Sequence, residues 1–263
     1  MAYCEHGFVL SFGGARLDGS SGWRRGDDGT RVSGHIFQQP SFASHTLATA
    51  NSAVVLDRDL PLSLAPAFGC GVSTGAGSVL NVMDLLPGSR LAILGAGTVG
   101  LAALMMARHL GVKQISAVDT NPGRLETASE LGATHTVGAS DREAGDAIQR
   151  LTGRGADYIF DTTGHPGVLA GALDSLAMTG TVVVAGAAPA GTRTSLDMNA
   201  LLNGRAVRGT IQARPWPAGH AVLQRPPPRL PRQDPRHQAR RIRSAVTASA
   251  RDTRHDQGRN PAR

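Results

Sequence analysis

The sequence predicts an α/β protein with a doubly wound parallel sheet, and two observations carry this prediction. From residue 91 onward, short apolar runs of strand length alternate with segments of helical periodicity. The first of these runs enters a Gly-x-Gly-x-x-Gly turn, which a helix and a second short apolar run follow. Because parallel strands need a crossover connection, usually a helix, this alternation favours a parallel sheet covered by helices on both faces.

Residues 1–60 show little helical periodicity and are predicted to be β-rich. Residues 8–12, 31–34 and 42–55 have the composition of short strands. The stretches 18–22 and 27–30 are rich in Asp, Gly and Ser or Thr, which is typical of loops and hairpins. We therefore expect part of a β domain here, and from Leu62 the pattern changes to a small-residue apolar stretch over 65–83 and a turn over 86–89.

The first strand–helix–strand unit is organised around the glycines of the turn. An apolar run over 91–94 enters the turn at Gly95, and a second run over 115–119 ends at Asp119. Such units bind dinucleotides, because Gly95 permits a tight turn, Gly97 lets the backbone approach a pyrophosphate, and Gly100 lets the helix pack closely on the strand. The N-terminus of the helix adds free N–H groups and the positive end of its dipole.

The context of the turn matters, because 33 of the 263 residues are glycine and chance matches are common. The helix after the turn has one apolar stripe at helical spacing, formed by Val99, Ala103, Met106 and Leu110. Asp119 lies 19 residues after Gly100, close to where a carboxylate would accept a hydrogen bond from a ribose 2′-OH. The prediction is a nicotinamide or flavin dinucleotide site; the alternative is a glycine turn in another α/β fold.

The later elements continue the alternation. Asn121 and Pro122 are predicted to be the N-cap and first residue of a helix that Gly132 closes. The segments that follow are predicted to be strand 158–160, helix 168–178, strand 181–185, helix 196–203 and strand 205–212.

The net charge of +7 is unevenly distributed. Residues 213–263 contain twelve arginines, eight prolines and three aspartates, without apolar periodicity, and we expect them to be disordered. Three interpretations stay open: a nucleic-acid-binding arm, an interaction tail, or frame-shifted translation of GC-rich DNA. The frame-shift hypothesis is favoured because the chain has one lysine against 26 arginines, and nucleic acid is an unlikely partner because Trp216 is the tail's one aromatic residue.

The two cysteines exclude a disulfide framework and fit a reducing, cytoplasmic setting. The N-terminal residues lack the pattern of a signal peptide, and no apolar run approaches the length of a membrane span. We therefore expect an intracellular protein without a membrane partner.

Residues 69–77, Gly-Cys-Gly-Val-Ser-Thr-Gly-Ala-Gly, precede the glycine turn, which opens 18 residues after Gly77. With this spacing the chain resembles the zinc-type (medium-chain) alcohol dehydrogenases over residues 3–212, and residues 12–42 are most similar to the aryl- or benzyl-alcohol branch. The resemblance implies a partial GroES-like catalytic domain over 1–64 and a Rossmann dinucleotide-binding domain over 65–212, ahead of the 213–263 tail.

The resemblance also implies site residues. Cys70 matches a thiolate ligand of the catalytic zinc, Thr74 matches the residue that packs beside the nicotinamide, and Cys4 matches a ligand of the structural zinc. The resemblance implies NAD contacts at three places. The pyrophosphate would contact the glycine turn, Gly95, Ala96, Gly97, Thr98, Val99 and Gly100, and the adenosine ribose would contact Asp119 and Arg124. The nicotinamide would lie beside two backbone segments, Ala185, Gly186 and Ala187, and Thr210, Ile211 and Gln212.

The chain departs from the family pattern at the metal sites. The other catalytic zinc ligands, the Ser/His proton relay and three structural-zinc cysteines match no residues here, and His35, His165 and His220 follow glycines without the glutamate of the Gly-His-Glu motif. Catalytic zinc needs three protein ligands and structural zinc four, so neither zinc site can be completed by this chain alone. The resemblance implies the middle of a dehydrogenase with both ends lost.

Two functions remain open. The first is an NAD-dependent zinc alcohol dehydrogenase acting on a small primary alcohol or aldehyde, with an aryl substrate and a homo-oligomeric assembly implied by the family. The second is an NAD-binding remnant without catalysis. Asp119 favours NAD over NADP because a carboxylate repels a 2′-phosphate, although Arg124 could attract one. A short-chain dehydrogenase is excluded because neither Tyr3 nor Tyr158 precedes a lysine at the required spacing.

Overall fold

The computed structural model describes residues 6–34, 44–46, 53–139 and 143–211. The chain forms two compact units, Met1–Pro61 and Leu62–Arg263. Among the described residues, no helix is long and apolar enough to cross a membrane. The tail predicted over 213–263 and most of the strand predicted over 42–55 lie outside the described residues, and the domain boundaries stay predictions.

The first unit contains a helix where the sequence predicted a strand. Helix α1 spans Gly7–Phe12, with i to i−4 hydrogen bonds from Leu10 N to His6 O (2.9 Å) and from Gly13 N to Val9 O (2.7 Å). The strand prediction for residues 8–12 is wrong because periodicity cannot separate a short, mostly apolar run in a helix from one in a strand.

The loop predicted over residues 27–30 is confirmed. Arg25 N donates to Thr30 O at 2.8 Å, and Asp28 Oδ1 accepts from Thr30 N at 2.8 Å. The flanking pairing is limited to one antiparallel bridge between Arg24 and Arg31, so the strand predicted over 31–34 is reduced to that bridge in the described residues.

The second unit begins with helices. Helix α2 spans Ala65–Ala67, a π-helical turn follows over Phe68–Val72, and α3 spans Ser73–Asn81. The remaining helices are α4 (Thr98–His109), α5 (Pro122–Leu131), α6 (Glu143–Thr152), α7 (Pro166–Asp174) and α8 (Met198–Leu202). The strands between them are β1 (Arg90–Leu94), β2 (Gln114–Asp119), β3 (His135–Gly138), β4 (Ala156–Asp161), β5 (Leu176–Val184) and β6 (Ala206–Gly209).

The six strands form one sheet in the order β3-β2-β1-β4-β5-β6, and every neighbouring pair is parallel. This arrangement confirms the predicted doubly wound parallel sheet. The chain moves outward in one direction from β1 to β3 and then crosses to the other side at β4. The reversal places a topological switch point between β1 and β4, where open sheets of this type bind ligands beyond the carboxyl ends of the strands.

Alternate residues of β1 enter the two halves of the core, as the period of a strand requires. Leu91 and Ile93 belong to the cluster that contains Leu104 of α4, whereas Leu94 belongs to the cluster that contains Leu173 of α7. All five residues of β1 are buried. Helices therefore cover both faces of the sheet, which leaves the ends of its strands as the places that a ligand can reach.

Capping residues fix the ends of α5 as predicted. Asn121 Oδ1 accepts from Gly123 N (2.9 Å) and Arg124 N (3.3 Å), and Pro122 is the first helical residue. Gly132 ends the helix in the left-handed region, at φ 110°.

Other boundaries differ from the prediction. The helix predicted over 168–178 ends at Asp174, and β5 begins at Leu176 instead of residue 181, passing an irregularity in the β4–β5 register and Thr179 at φ 62°. The predicted helix 196–203 and strand 205–212 are shorter, as α8 and β6. Helices α3 and α6 and strand β3 were not predicted.

Candidate dinucleotide-binding site

A cleft lies at the switch point of the sheet. Its volume is about 360 Å³, and the ends of β1, β2 and β4 together with the starts of α6 and α7 line it. The lining residues are Leu94, Gly95, Gly97, Val118, Asp119, Thr120, Arg124, Ala139, Ala144, Thr162, Thr163, His165 and Val168. Besides Gly95, the cleft brings together three of the predicted site residues, namely Gly97, Asp119 and Arg124.

The glycine turn forms one wall of this cleft. Gly95 has φ +91°, a conformation that favours glycine, and its N–H donates to Val118 O at 2.8 Å. A Cβ at Gly100 would collide with the carbonyl oxygen of Gly95 and come within 3.1 Å of Ile93 Cγ2. Gly100 therefore lets the first turn of α4 pack against β1.

Gly97 lies at the start of α4 and faces open space. A Cβ built on it would meet no atom of the described residues within 4 Å. Gly97 is the N-cap residue, and the first turn of the helix contains no acidic residue. The backbone N–H groups of this turn and the positive end of the helix dipole are consequently suited to an anion such as a pyrophosphate.

Asp119 ends β2 and holds the glycine turn through its side chain. Its Oδ2 accepts from Ala96 N at 2.7 Å, and its Oδ1 accepts from Asn121 N at 2.8 Å. Arg124 Nη1 lies 3.8 Å from the same Oδ2, and the exposed fraction of the side chain is 5% for Asp119 and 36% for Arg124. The carboxylate that was predicted to contact a ribose thus also stabilises the turn.

Two residues of this region were missed by the sequence reasoning. Thr162, directly after β4, places its hydroxyl oxygen 2.9 Å from Leu94 O and 3.0 Å from Gly95 O. Asp161 is buried, and its Oδ1 accepts from Thr163 N (2.9 Å) and Thr163 Oγ1 (2.7 Å). The signal was present, since polar side chains directly after a strand lie at the carboxyl edge where ligands bind.

Burial raises the pKa of the Asp161 carboxyl, and the hydrogen bonds from Thr163 oppose this rise without cancelling it. The backbone carbonyl of Asp161 accepts from Ala185 N (2.8 Å) and Gly186 N (3.1 Å). Asp161 thereby links the end of β4 to the segment after β5 in which NAD contacts were predicted.

The residues predicted beside the nicotinamide lie after β5 and β6. The carbonyl oxygen of Ala187 approaches Gly164 so closely that a Cβ there would collide with it at about 2.5 Å. Thr210 N donates to Val184 O at 2.9 Å, and its buried hydroxyl has no hydrogen-bond partner among the described residues. Ile211 is exposed, and Gln212 lies outside the described residues.

Cys70 lies exposed on the π-helical turn Phe68–Val72, where Ser73 Oγ donates to its carbonyl oxygen at 2.9 Å. Thr74 is buried in α3. Close contact links this segment to the glycine turn, because a Cβ at Gly71 would lie 2.8 Å from Thr98 Cγ2.

The described residues do not fit a zinc ion on their own. Within the described ranges, no group of three His, Cys, Asp or Glu side chains could hold a metal. Cys4, His35 and His220 lie outside those ranges, and His165 lines the cleft instead.

Comparison with known protein families gives a match to the zinc-binding dehydrogenase domain over residues 98–224. Among curated proteins, the chain is 40% identical over 187 residues to a geraniol dehydrogenase of Castellaniella defragrans, covering 70% of this chain and 49% of that protein. It is 36% identical over 200 residues to a probable alcohol dehydrogenase of a Pseudomonas species, covering 72% of this chain and 62% of that protein. The chain therefore spans about half to three fifths of these relatives' lengths.

Solved structures show the same relationship. An alcohol dehydrogenase zinc-binding domain protein from Burkholderia ambifaria superposes with a TM-score of 0.74 at 43% identity, covering 81% of this chain and 57% of that one. Benzyl alcohol dehydrogenase from Acinetobacter calcoaceticus superposes with a TM-score of 0.73 at 36% identity and the same coverage. Together with the switch-point cleft and its glycine turn, these matches support assignment of the chain to the zinc-type alcohol dehydrogenase family.

Proposed function

We propose that this chain binds NAD(H) in the switch-point cleft, as the nucleotide-binding part of an oxidoreductase that transfers hydride between a primary aryl alcohol and NAD. The observation that carries this proposal is the wall formed by the glycine turn and Asp119, in which the start of α4 and a buried carboxylate face one cleft. The family supports the reaction class, and the benzyl alcohol dehydrogenase neighbour supports an aromatic substrate.

The residues of the cleft fit the parts of NAD. The open backbone at Gly97 and the N-terminus of α4 would hold the pyrophosphate, because N–H groups and the helix dipole attract anions. The carboxylate of Asp119 would accept from the adenosine ribose. Bound NAD supplies the hydride acceptor, while the protein orients it and sets the surrounding charge.

The same carboxylate favours NAD over NADP. Asp119 is almost fully buried, and a 2′-phosphate placed against it would meet a fixed negative charge. Arg124 lies 3.8 Å from that carboxylate, so its guanidinium charge is partly balanced by Asp119. We therefore expect NADH to bind more tightly than NADPH.

A second candidate function is NAD(H) binding without turnover. Two observations favour it: Cys70 is exposed, and the described part of the chain contains no cluster of three side chains that could hold a metal ion. The cytoplasmic setting, the homo-oligomeric assembly and the small-molecule alcohol substrate stay predictions under either function.

Titration of the purified full-length chain with NADH, followed by its fluorescence, tests the binding that both functions share. Saturable binding is expected, and no detectable binding would refute both. Zinc near one atom per chain with NAD-dependent oxidation of benzyl alcohol would favour the dehydrogenase. Metal-free protein that binds NADH and oxidises no alcohol would favour binding without turnover.

A further inference from the structure

Thr162 contacts the glycine turn from the opposite side of the switch point. Its backbone N–H donates to Leu94 O at 2.9 Å, and its Oγ1 lies 2.9 Å from Leu94 O and 3.0 Å from Gly95 O. A threonine hydroxyl has one hydrogen, so it donates to these two carbonyls in a shared hydrogen bond. The side chain thus ties the start of the turn to a strand 67 residues further along the chain.

This contact requires a glycine at position 95. Gly95 has φ +91°, and a Cβ at this position would collide with Thr162 Oγ1. The hydroxyl therefore approaches the turn through the space that the missing side chain leaves free. Any residue with a side chain in place of this glycine would displace either the turn or the hydroxyl.

The turn is held from both sides by side chains of neighbouring strands. Thr162 binds the carbonyl oxygens of Leu94 and Gly95, while Asp119 accepts from Ala96 N at 2.7 Å. Gly95 O and Ala96 N belong to the same peptide group, so the donor and the acceptor hold that group at its two ends. This arrangement fixes the backbone directly before Gly97, which is the N-cap of α4 and lines the cleft.

We propose that Thr162 is a positioning residue for phosphate binding, acting through the glycine turn. The inference rests on the proposed NAD(H) site. A turn that is already fixed in its binding conformation loses little conformational entropy when the ligand arrives, so its affinity for the ligand is higher. Removing the hydroxyl takes this donor from Gly95 O and leaves Leu94 O with the Thr162 backbone N–H, and it weakens the binding of ligands that carry a pyrophosphate.

Three variants test this role in the full chain. Thr162→Val removes the hydroxyl at nearly constant volume, and Thr162→Ser keeps it. Thr134→Val is the matched control, because Thr134 Oγ1 also donates to a backbone carbonyl (Ile115 O, 2.9 Å) but at the amino edge of the sheet. Thr162→Ala replaces Thr162→Val if the latter does not fold.

Calorimetric titration with ADP-ribose, NADH and adenosine gives the readout. One hydrogen bond corresponds to a loss of about three- to tenfold in affinity, and we expect this loss for ADP-ribose and NADH with Thr162→Val. Adenosine, which has no phosphate, should bind all variants equally. Thr162→Ser should bind like the wild type, and Thr134→Val should lower the melting temperature without changing the affinities.

The outcomes separate this inference from the proposed function. A wild type that binds neither NADH nor ADP-ribose refutes the proposed site, and the role of Thr162 with it. A wild type that binds both, with an equal affinity in Thr162→Val, refutes the role of Thr162 alone. That role is also overturned if Thr162→Val loses affinity for adenosine and for ADP-ribose to the same extent. It is overturned as well if Thr162→Ser binds ADP-ribose as weakly as Thr162→Val does.

Discussion

Replacing Asp119 by alanine removes a carboxylate that holds the glycine turn and that we propose binds the adenosine ribose. Its two oxygens accept from Ala96 N (2.7 Å) and Asn121 N (2.8 Å), and 5% of the side chain is exposed. Alanine leaves both N–H groups without this acceptor. We expect the variant to lose NADH affinity and also to lose stability without ligand.

The magnitude follows from the two hydrogen bonds more than from the ion pair. Hydrogen bonds to a charged group contribute about 1.5–3 kcal/mol each, and we expect a total loss of about 3 kcal/mol in the free energy of unfolding after partial rehydration of the freed groups. The ion pair with Arg124 contributes under about 1 kcal/mol, because its 3.8 Å separation and the 36% exposure of the arginine allow solvent screening. Arg124→Gln should therefore cost far less stability than Asp119→Ala.

Urea unfolding followed by circular dichroism, together with NADH titration, measures both effects. Asp197→Ala is the matched control, because Asp197 also accepts from a backbone N–H (Asn199 N, 2.9 Å) but caps α8 away from the residues that line the cleft. It should lose about 1 kcal/mol of stability and no affinity. If Asp119→Ala unfolds at the same urea concentration as the wild type, the carboxylate does not hold the turn and the reasoning fails.

Three further substitutions give distinct expected outcomes. Gly100→Ala should reduce NADH affinity at least tenfold in titration, because its Cβ would collide with the Gly95 carbonyl; unchanged affinity would contradict the close packing. Burial would raise the pKa of the Asp157 carboxyl, but hydrogen bonds from Arg90 (2.6–3.0 Å) outweigh burial and lower it. Asp157→Asn should therefore lower the stability of the protein at neutral pH. The stability of the variant should match that of the wild type once the pH falls through the lowered pKa. Asp161→Asn should stabilise the protein at neutral pH, because burial raises the pKa of Asp161 and so disfavours its charged form in the folded state. Thermal melts should show that this gain in stability shrinks as the pH falls below that pKa. A gain that stays constant with pH would contradict the prediction.

The strand–helix–strand unit was predictable because its signals are local. The three glycines, the apolar stripe of α4 and the acidic end of β2 lie within one continuous stretch, and each residue type has a single dominant physical reason to be there. The same holds for α5, whose Asn121 cap and Gly132 stop act within one turn of their own helix.

The wrong or missing assignments have separate causes. The run over residues 8–12 is apolar except at Ser11 and is too short for its periodicity to separate helix from strand. The long β5 contains Thr179 at φ 62° and an irregularity in its register with β4. Pairing with β4 tolerates these features, but the amino-acid composition of the segment does not predict them. Helix α6 has a local signal in the sequence, because Ala144, Ala147 and Ile148 form an apolar stripe at helical spacing.

The role of Thr162 could not be read from the sequence, because it depends on pairing between distant segments. Thr162 follows β4, and only the parallel register of Leu94 with Asp161 brings its hydroxyl to the carbonyls of Leu94 and Gly95. A threonine after a strand has many possible partners until the strand order is known. The glycine turn is thus predictable as a motif, while the contacts that hold it depend on the completed sheet.

The two parts of the expected dehydrogenase site differ in how many separate segments they need. NAD(H) binding requires a turn, a helix start and a carboxylate, all supplied between Gly95 and Asp119, whereas zinc requires at least three converging ligands. Cys70 is exposed on a π-helical turn, and the described residues offer no such group around it. Nucleotide affinity should therefore not depend on metal, and NADH titrations with and without a chelator should give the same dissociation constant. A weaker affinity after chelation would show that nucleotide binding depends on a metal ion and would contradict this separation.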